Sequence, residues 1–328
     1  MIYHQSPRHV LLHGDCLHAL RVVPSQSINC CVTSPPYFGL RDYGVDGQIG
    51  LEETPEAFVQ KLVEVFREVK RVLRDDGTLW LNLGDSYAGS GKGIGSDHGK
   101  AVFTDTNIAQ TNWKKTDLKP KDLIGIPWKV AFALQSDGWH LRQDIIWHKP
   151  NPMPESVKDR CTKAHEYIFL LSKSPKYYFD NLAIKEEAIW KETRPSGMAR
   201  NGESYRNKVK HANDKYGGGG TSFQGHSGLY KANGELINPD GKRNKRSVWT
   251  VTTKPFKGAH FATFPPALIE PCILAGCPEG GVVLDPFNGA GTTGVVAQQH
   301  KRSFLGIELN SEYCRIAVER WAKNANDS

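Results

Sequence analysis

Apolar positions along this chain follow two alternating patterns. Pro55–Leu73 and Ser311–Lys323 repeat apolar residues every three to four positions, which predicts amphipathic helices. Short apolar runs bounded by turn residues, many of them β-branched, predict strands. These runs are Ile28–Thr33, Thr78–Leu83, Asp144–His148, Tyr167–Leu171, Val282–Asp285 and Ser303–Glu308. Strands that alternate with helices indicate an α/β fold with a doubly wound, mostly parallel sheet.

Two stretches rich in Gly, Ser, Asn and Lys interrupt this alternation, at about 86–121 and 185–246. We expect both to be insertions in a catalytic core formed by 1–184 and 247–328. The first is equally well explained as a flexible surface loop. The second has 13 basic and 7 acidic residues with interspersed aromatic side chains, a composition that favours a nucleic-acid surface.

Composition narrows the class of protein further. The formal net charge of +7 is compatible with a polyanionic partner, and most of the excess falls in the second insertion. The seven cysteines show no pairing at metal-ligand spacing, so we expect neither a zinc site nor a disulfide framework. No apolar run is long enough to span a bilayer, and the N-terminus lacks the features of a signal peptide. We therefore expect a reduced, cytoplasmic protein.

The first motif with chemical potential is Ser34-Pro35-Pro36-Tyr37, which follows the predicted strand Ile28–Thr33. Two prolines fix φ and remove two N–H donors, so the chain leaves the strand in a rigid turn with exposed carbonyls. The Ser34 side chain and the Pro35 carbonyl could accept both hydrogens of a planar amino group, while Tyr37 stacks on its ring. By itself, the motif could also be an ordinary rigid turn.

The second motif runs from Val282 to Gly294 and reads as a buried strand, a Gly-rich turn and the start of a helix. Gly289 and Gly291 allow a tight turn and close ligand approach, and the helix N-terminus with Thr292 and Thr293 offers donors to an anion. Glu308 ends the next predicted strand, where an acid can accept hydrogen bonds from ribose hydroxyls or simply be solvated. The spacing is neither that of a P-loop nor that of a dinucleotide site.

Together, Ser34–Tyr37 and Asp285-Pro286-Phe287-Asn288-Gly289-Ala290-Gly291-Thr292-Thr293 resemble the amino-methyltransferases of bacterial restriction–modification systems and phages. The target motif precedes the cofactor loop, which is the permuted order of the β group. The resemblance implies a Rossmann-like class I methyltransferase fold, S-adenosyl-L-methionine as cofactor, and double-stranded DNA as substrate. It also implies a target-recognition role for 185–246 and a cognate restriction endonuclease as a possible partner of a monomer or homodimer.

The resemblance also assigns roles to individual residues. Ser34, Pro35, Pro36 and Tyr37 would be catalytic. Gly77–Asp85 and Trp139–Pro150 resemble the strands that line the target pocket. Asp15 lies in an element whose acid binds the adenine amino group of the cofactor. The full set implied to bind cofactor is Asp15, Cys16, Phe264, Pro265, Asp285, Phe287, Gly289, Gly291, Thr292, Thr293 and Glu308.

The choice of target base depends on Ser34. In the resembling family, Ser at this position accompanies cytosine N4 more often, whereas Asp accompanies adenine N6. The sequence therefore favours methylation of cytosine N4 in a flipped base by direct transfer, with adenine N6 as the alternative. An RNA methyltransferase and an inactive DNA-binding homologue are two further alternatives. Direct transfer requires no cysteine nucleophile, so Cys30 and Cys31 are expected to be buried packing residues.

Overall fold

A computed structural model describes residues 1–40, 42–88, 118–188, 241–253 and 264–326. Most of both predicted insertions therefore lies outside the described residues, as does the segment 254–263 before Phe264. The chain divides into two compact units, of which the first comprises Met1–Ala183 and Arg246–Ser328 and the second Ile184–Lys245. These boundaries lie within one residue of those expected for the second insertion. The target-recognition role of that insertion stays a prediction.

The described residues form eleven strands and six helices. The strands are β1 (Ile2–Gln5), β2 (His9–His13), β3 (Ile28–Thr33), β4 (Leu73–Leu83), β5 (His140–His148), β6 (His165–Ser172), β7 (Glu186–Glu187), β8 (Lys242–Arg243), β9 (Val248–Thr250), β10 (Val282–Asp285) and β11 (Ser303–Glu308). The helices are α1 (Cys16–Leu20), α2 (Pro55–Val72), α3 (Ile126–Ser136), α4 (Pro266–Gly276), α5 (Thr292–Gln299) and α6 (Ser311–Asn326). Within this part of the chain, no helix is long and apolar enough to cross a membrane.

All six predicted strands and both predicted helices are present, and β3, β10 and β11 have the predicted bounds. The largest difference is at β4, which begins at Leu73 rather than Thr78. Leu73 adopts an extended conformation directly after α2 and pairs with Ile28 of β3, so helix and strand follow each other without a loop. The helix itself begins where the Thr54 side chain accepts a hydrogen bond from the Ala57 N–H.

Nine strands form one sheet in the order β1-β2-β11-β10-β3-β4-β6-β5-β9. The strands β2, β11, β10, β3 and β4 are mutually parallel, whereas β6 is antiparallel to both of its neighbours. The predicted α/β fold with a mostly parallel sheet is confirmed. In the second unit, β7 and β8 form a separate antiparallel pair, in which Arg243 binds Glu186.

Alternation along the strands gives the sheet two buried faces. On one face, Cys31 and Leu79 belong to the apolar core that also contains the buried residues of α1, α2 and α3. On the other face, Cys30 and Trp80 lie against Gly276 at the end of α4, where a side chain would collide with both. Burial on both faces explains the continuous apolar runs from which the strands were predicted. Six of the seven cysteines are buried and all seven are free.

Candidate active site

The sheet changes winding direction between β3 and β10, which are adjacent and parallel. From β3 the chain crosses through α2 to β4 on one side, and from β10 it crosses through α5 to β11 on the other. Such a switch point leaves a crevice beyond the carboxyl ends of the two strands, where ligands of α/β proteins bind. A cavity of about 740 Å³ lies there, within the first compact unit.

Both sequence motifs open into this cavity. The lining includes all four residues predicted to be catalytic and eight of those predicted to bind cofactor, namely Ser34, Pro35, Pro36, Tyr37, Asp15, Cys16, Phe264, Asp285, Phe287, Gly289, Thr292 and Glu308. Three other predicted residues, Pro265, Gly291 and Thr293, do not line it. Gly291 instead packs against Trp321 of α6, with a left-handed φ of 76° that favours glycine.

Asp285 joins the two motifs. Its Oδ1 accepts hydrogen bonds from the Thr33 hydroxyl at 2.6 Å and the Phe287 N–H at 3.1 Å, and its Oδ2 accepts one from the Thr293 hydroxyl at 2.7 Å. Burial raises the pKa of this carboxyl to about 6, although the three donors act against that shift. Asp285 therefore holds the end of β3 and the turn after β10 in one arrangement.

Glu308 occupies the end of β11, beside the Gly-rich turn. Its Oε2 accepts the Gly289 N–H at 2.7 Å and its Oε1 accepts the Asn310 N–H at 2.8 Å. Burial raises the pKa of Glu308 to about 7. A carboxylate has about four acceptor positions, so Glu308 can still accept hydrogen bonds from the hydroxyls of a ligand.

Asp15 lies on the same side of the cavity, at the N-terminus of α1. Its Oδ1 accepts the His18 N–H at 2.8 Å, and no partner for its Oδ2 occurs among the residues that the structure describes. The adjacent Cys16 is buried, which raises the pKa of its thiol to about 12 and keeps it protonated. This end of the cavity thus combines two acids, Asp15 and Glu308, with the amino end of α5.

Tyr37 forms the opposite wall together with Gly84, which follows β4. A side-chain carbon on Gly84 would lie 2.4 Å from the Tyr37 ring, so glycine is required for the ring to occupy this position. Burial and the negative charge of Glu166 raise the pKa of Tyr37 well above its ordinary value. The Tyr37 hydroxyl donates to Glu166 Oε2 at 2.7 Å, which fixes its orientation.

Glu166 is the functional candidate that sequence reasoning missed. Besides Tyr37, the Asn82 amide donates to Oε2 at 3.2 Å, and Lys149 donates to Oε1. The three donors come from the loop after β3, from β4 and from the segment after β5, so no local spacing could have revealed the cluster. The only signal in the sequence was a polar pair, His165-Glu166, at the start of an apolar strand.

Three further polar residues lie on or near the strands predicted to line the target pocket, and of these only Asp85 lines the cavity. Asp85 accepts the N–H groups of Gly125 and Ile126 at 3.0 Å and thereby caps α3. Asp144 is exposed on β5, and His148 is exposed with Nδ1 3.1 Å from the Thr250 hydroxyl. Neither Asp144 nor His148 lines the cavity.

Two features share one α/β switch-point crevice: an acid-lined end beside a Gly-rich turn, and a Pro-Pro-Tyr end. Together they are typical of methyltransferases that act on amino groups. The family model described as DNA methylase matches residues 28–319. The type II methyltransferase M.Cfr9I of Citrobacter freundii is 49% identical over 314 residues, which cover 94% of this chain and 86% of that protein. M.SmaI of Serratia marcescens is 45% identical, with coverage of 94% and 89%.

Solved structures share the fold. The PvuII DNA methyltransferase, described as cytosine-N4-specific, aligns with a TM-score of 0.61 at 17% identity, covering 98% of this chain and 93% of that chain. The M1.HpyAVI–SAM complex aligns with a TM-score of 0.52 at 16% identity, covering 95% and 99%. The chain belongs to the DNA methylase family of N4 and N6 amino-methyltransferases.

Proposed function

We propose that this DNA methyltransferase transfers the methyl group of S-adenosyl-L-methionine to N4 of a cytosine in duplex DNA. The observation that carries the proposal is the position of Ser34-Pro35-Pro36-Tyr37, which shares one cavity with Asp285 and Glu308. Serine at position 34 supports cytosine over adenine as the target. The relatives named above are type II methyltransferases, which supports a restriction–modification context with a cognate endonuclease.

The residues present fit the cofactor. The uncommitted acceptor positions of Glu308 match the two ribose hydroxyls, and Asp15 Oδ2 can accept from the adenine amino group. Phe264 and Phe287 supply apolar surface in the same region. A cavity of about 740 Å³ is large enough for a nucleoside cofactor together with a flipped base.

The chemistry follows from the groups at the end of β3. S-adenosyl-L-methionine supplies an electrophilic methyl group on a sulfonium. Ser34 Oγ and the Pro35 carbonyl oxygen accept the two hydrogens of the target amino group, which draws its nitrogen toward tetrahedral geometry and raises the density of its lone pair. An N–C bond forms as the S–C bond breaks, and one amino proton leaves to water. Ser34 is uncharged and acts by orienting the amine rather than as a strong base.

The DNA surface belongs to the same proposal. The basic insertion 185–246 would contact phosphates and recognise the target sequence, and the flipped base would enter the cavity from the duplex. Phosphate contacts release counterions from the DNA, and this release is less favourable at high salt, so the DNA affinity should fall steeply as the salt concentration rises. A DNA affinity that did not change with salt concentration would contradict this role.

The decisive experiment is nucleoside mass spectrometry of plasmid DNA from cells that express the protein, beside cells that express the Ser34→Ala variant. We expect N4-methylcytosine with the wild type and a strongly reduced amount with the variant. N6-methyladenine would show that the target base is adenine. Unmethylated DNA would contradict the proposal, and parallel labelling of duplex DNA and RNA in vitro would then distinguish an RNA methyltransferase from an inactive homologue.

A further inference from the structure

Lys149 and Glu166 form an ion pair in the wall of the cavity. Their side chains are only 18% and 14% exposed, and the Lys149 ammonium lies 4.2 Å from the centre of the Trp147 ring. Withdrawing two charges from water costs several kcal/mol each, so apolar side chains could fill this position at least as stably. Both residues line the cavity beside Tyr37, at the end proposed to bind the target base, so the pair is placed to contact that base.

The two members of the pair differ in how many of their hydrogen-bonding positions are used. The Glu166 carboxylate accepts three hydrogen bonds, from Tyr37, Asn82 and Lys149. The Lys149 ammonium has three N–H donors, and Glu166 is its one hydrogen-bond acceptor in the described part of the chain. Glu166 therefore holds the ammonium in place, and two N–H donors of Lys149 are left for a ligand.

Two other side-chain donors at this end of the cavity are committed. Asn82 donates to Glu166 and to a main-chain carbonyl, and the Tyr37 hydroxyl donates to Glu166. Lys163, the second cavity-lining lysine, donates to a main-chain oxygen at 3.3 Å. Burial lowers the pKa of Lys163, whereas the Glu166 carboxylate holds the Lys149 ammonium in place. Lys149 is thus the best-placed cationic donor beside Tyr37.

A flipped cytosine presents acceptors that require such a donor. When the base leaves its pair, its amino hydrogens can bind Ser34 and Pro35, but N3 and O2 lose their partners. A buried acceptor without a donor costs free energy, and a charged donor gives the stronger hydrogen bond. We propose that Lys149 binds the N3/O2 edge of the target cytosine and that Glu166 is the positioning residue for this contact. The proposal rests on the methyl transfer to cytosine proposed above.

The test combines a variant with a base analogue. Single-turnover rates are measured for wild type and Lys149→Met on duplexes with cytosine or 3-deazacytosine at the target, the latter carrying C–H in place of N3. For wild type we expect the analogue to react about 10- to 100-fold more slowly, as the loss of one charge-assisted hydrogen bond implies. Lys149→Met should methylate cytosine more slowly than wild type by a similar factor. Its rate on the analogue should be little lower than its rate on cytosine, because the contact to N3 is already absent.

Three further variants make the test specific. Lys158→Met removes the same charge from an exposed position further along the chain and should keep the full discrimination against the analogue. Lys149→Arg retains cationic donors and should keep part of the discrimination against the analogue. Glu166→Gln should reduce the discrimination while the affinity for S-adenosyl-L-methionine stays unchanged. The affinity is the control for folding, because a general loss of folding would weaken both quantities.

The proposal would be wrong if the rate reductions caused by Lys149→Met and by 3-deazacytosine simply multiplied. It would also be wrong if Lys163→Met, and not Lys149→Met, abolished the discrimination against the analogue. Wild-type protein that methylates no cytosine would instead contradict the proposed target base. If the product is N6-methyladenine, the same cycle with 1-deazaadenine tests whether Lys149 binds the equivalent ring nitrogen, and additivity there would equally exclude the contact.

Discussion

The two ends of the cavity are built from different kinds of contact. At the end that we propose binds the cofactor, here the cofactor end, Asp285 and Glu308 accept hydrogen bonds mainly from backbone N–H groups and threonine hydroxyls after β10 and β11 and at the start of α5. At the end that we propose binds the target base, here the target end, Glu166 holds side chains from three other segments. Backbone donors come with the fold, whereas side-chain donors can be exchanged one at a time. The cofactor end is thus suited to a constant ligand and the target end to adjustable specificity.

The largest effect that separates the two ends is expected for Ser34→Ala. Loss of a hydrogen-bond acceptor that acts on the reacting nitrogen should lower single-turnover methylation by about 10²- to 10³-fold, the range seen when one preorganised polar contact is removed. The affinity for S-adenosyl-L-methionine should change little, because Glu308 and Asp15 are untouched. Rapid-quench kinetics and isothermal titration calorimetry measure the two quantities.

Ser27→Ala is the matched control, since Ser27 precedes β3 while Ser34 follows it, and its exposed hydroxyl donates to the Pro24 carbonyl. This control should retain wild-type turnover. Unchanged turnover in Ser34→Ala would remove Ser34 from the mechanism, and a parallel loss of cofactor affinity would mean that the two ends are not separable.

Glycine substitutions should separate the ends in a second way. In Gly84→Ala the new carbon collides with the Tyr37 ring, so we expect turnover to fall about 10- to 100-fold through misplacement of the ring. Gly294→Ala, whose new carbon would lie 2.5 Å from Trp321 Nε1 behind the cofactor turn, should instead lower thermal stability and cofactor affinity. If both substitutions lowered thermal stability equally and changed neither turnover nor cofactor affinity, the distinction between the two ends would be wrong.

Asp285→Ala tests the connection between the ends. It leaves the Thr33 and Thr293 hydroxyls and one backbone N–H without their acceptor, so the free energy of unfolding should fall by about 1–3 kcal/mol. Cofactor affinity should fall as well, because the turn before α5 is no longer held. Chemical denaturation and calorimetry give both values, with the exposed Asp144→Ala as control. Tight cofactor binding in Asp285→Ala would show that the loop is misassigned.

The same contrast explains what could be predicted from the sequence. β10, the Gly-rich turn, α5 and β11 form one continuous unit, so the strand bounds and the placement of Glu308 at a strand end could be read from local patterns. The Glu166 cluster could not, because Lys149 and Tyr37 meet it through pairing of β5, β6 and β4 that no spacing encodes. Asp285 illustrates an intermediate case: its position was predictable, but its bond to Thr33 depends on β3 lying beside β10.

The smallest effect concerns pH and belongs to the cofactor end alone. Burial raises the pKa of Glu308 to about 7, so a ligand that binds the ionised carboxylate should lose affinity about tenfold between pH 8 and pH 6. In the protein without ligand, the same raised pKa has the opposite effect on folding stability: it favours the folded state at low pH. The folded state holds this proton more tightly than the unfolded chain, so the contribution of Glu308 to stability declines as pH rises from about 4.5 through about 7.

The contributions of Glu308 to cofactor affinity and to thermal stability, each measured as wild type against Glu308→Gln, should therefore change in opposite directions with pH. Glu308→Gln, which cannot ionise, should bind S-adenosyl-L-methionine more weakly and show a smaller pH slope in both quantities. Any slope it retains in affinity reports titration of the ligand or of Asp285, whose pKa is about 6. A wild-type slope that survives intact in Glu308→Gln would show that Glu308 stays ionised in the folded protein, and that the backbone donors of Gly289 and Asn310 outweigh its burial.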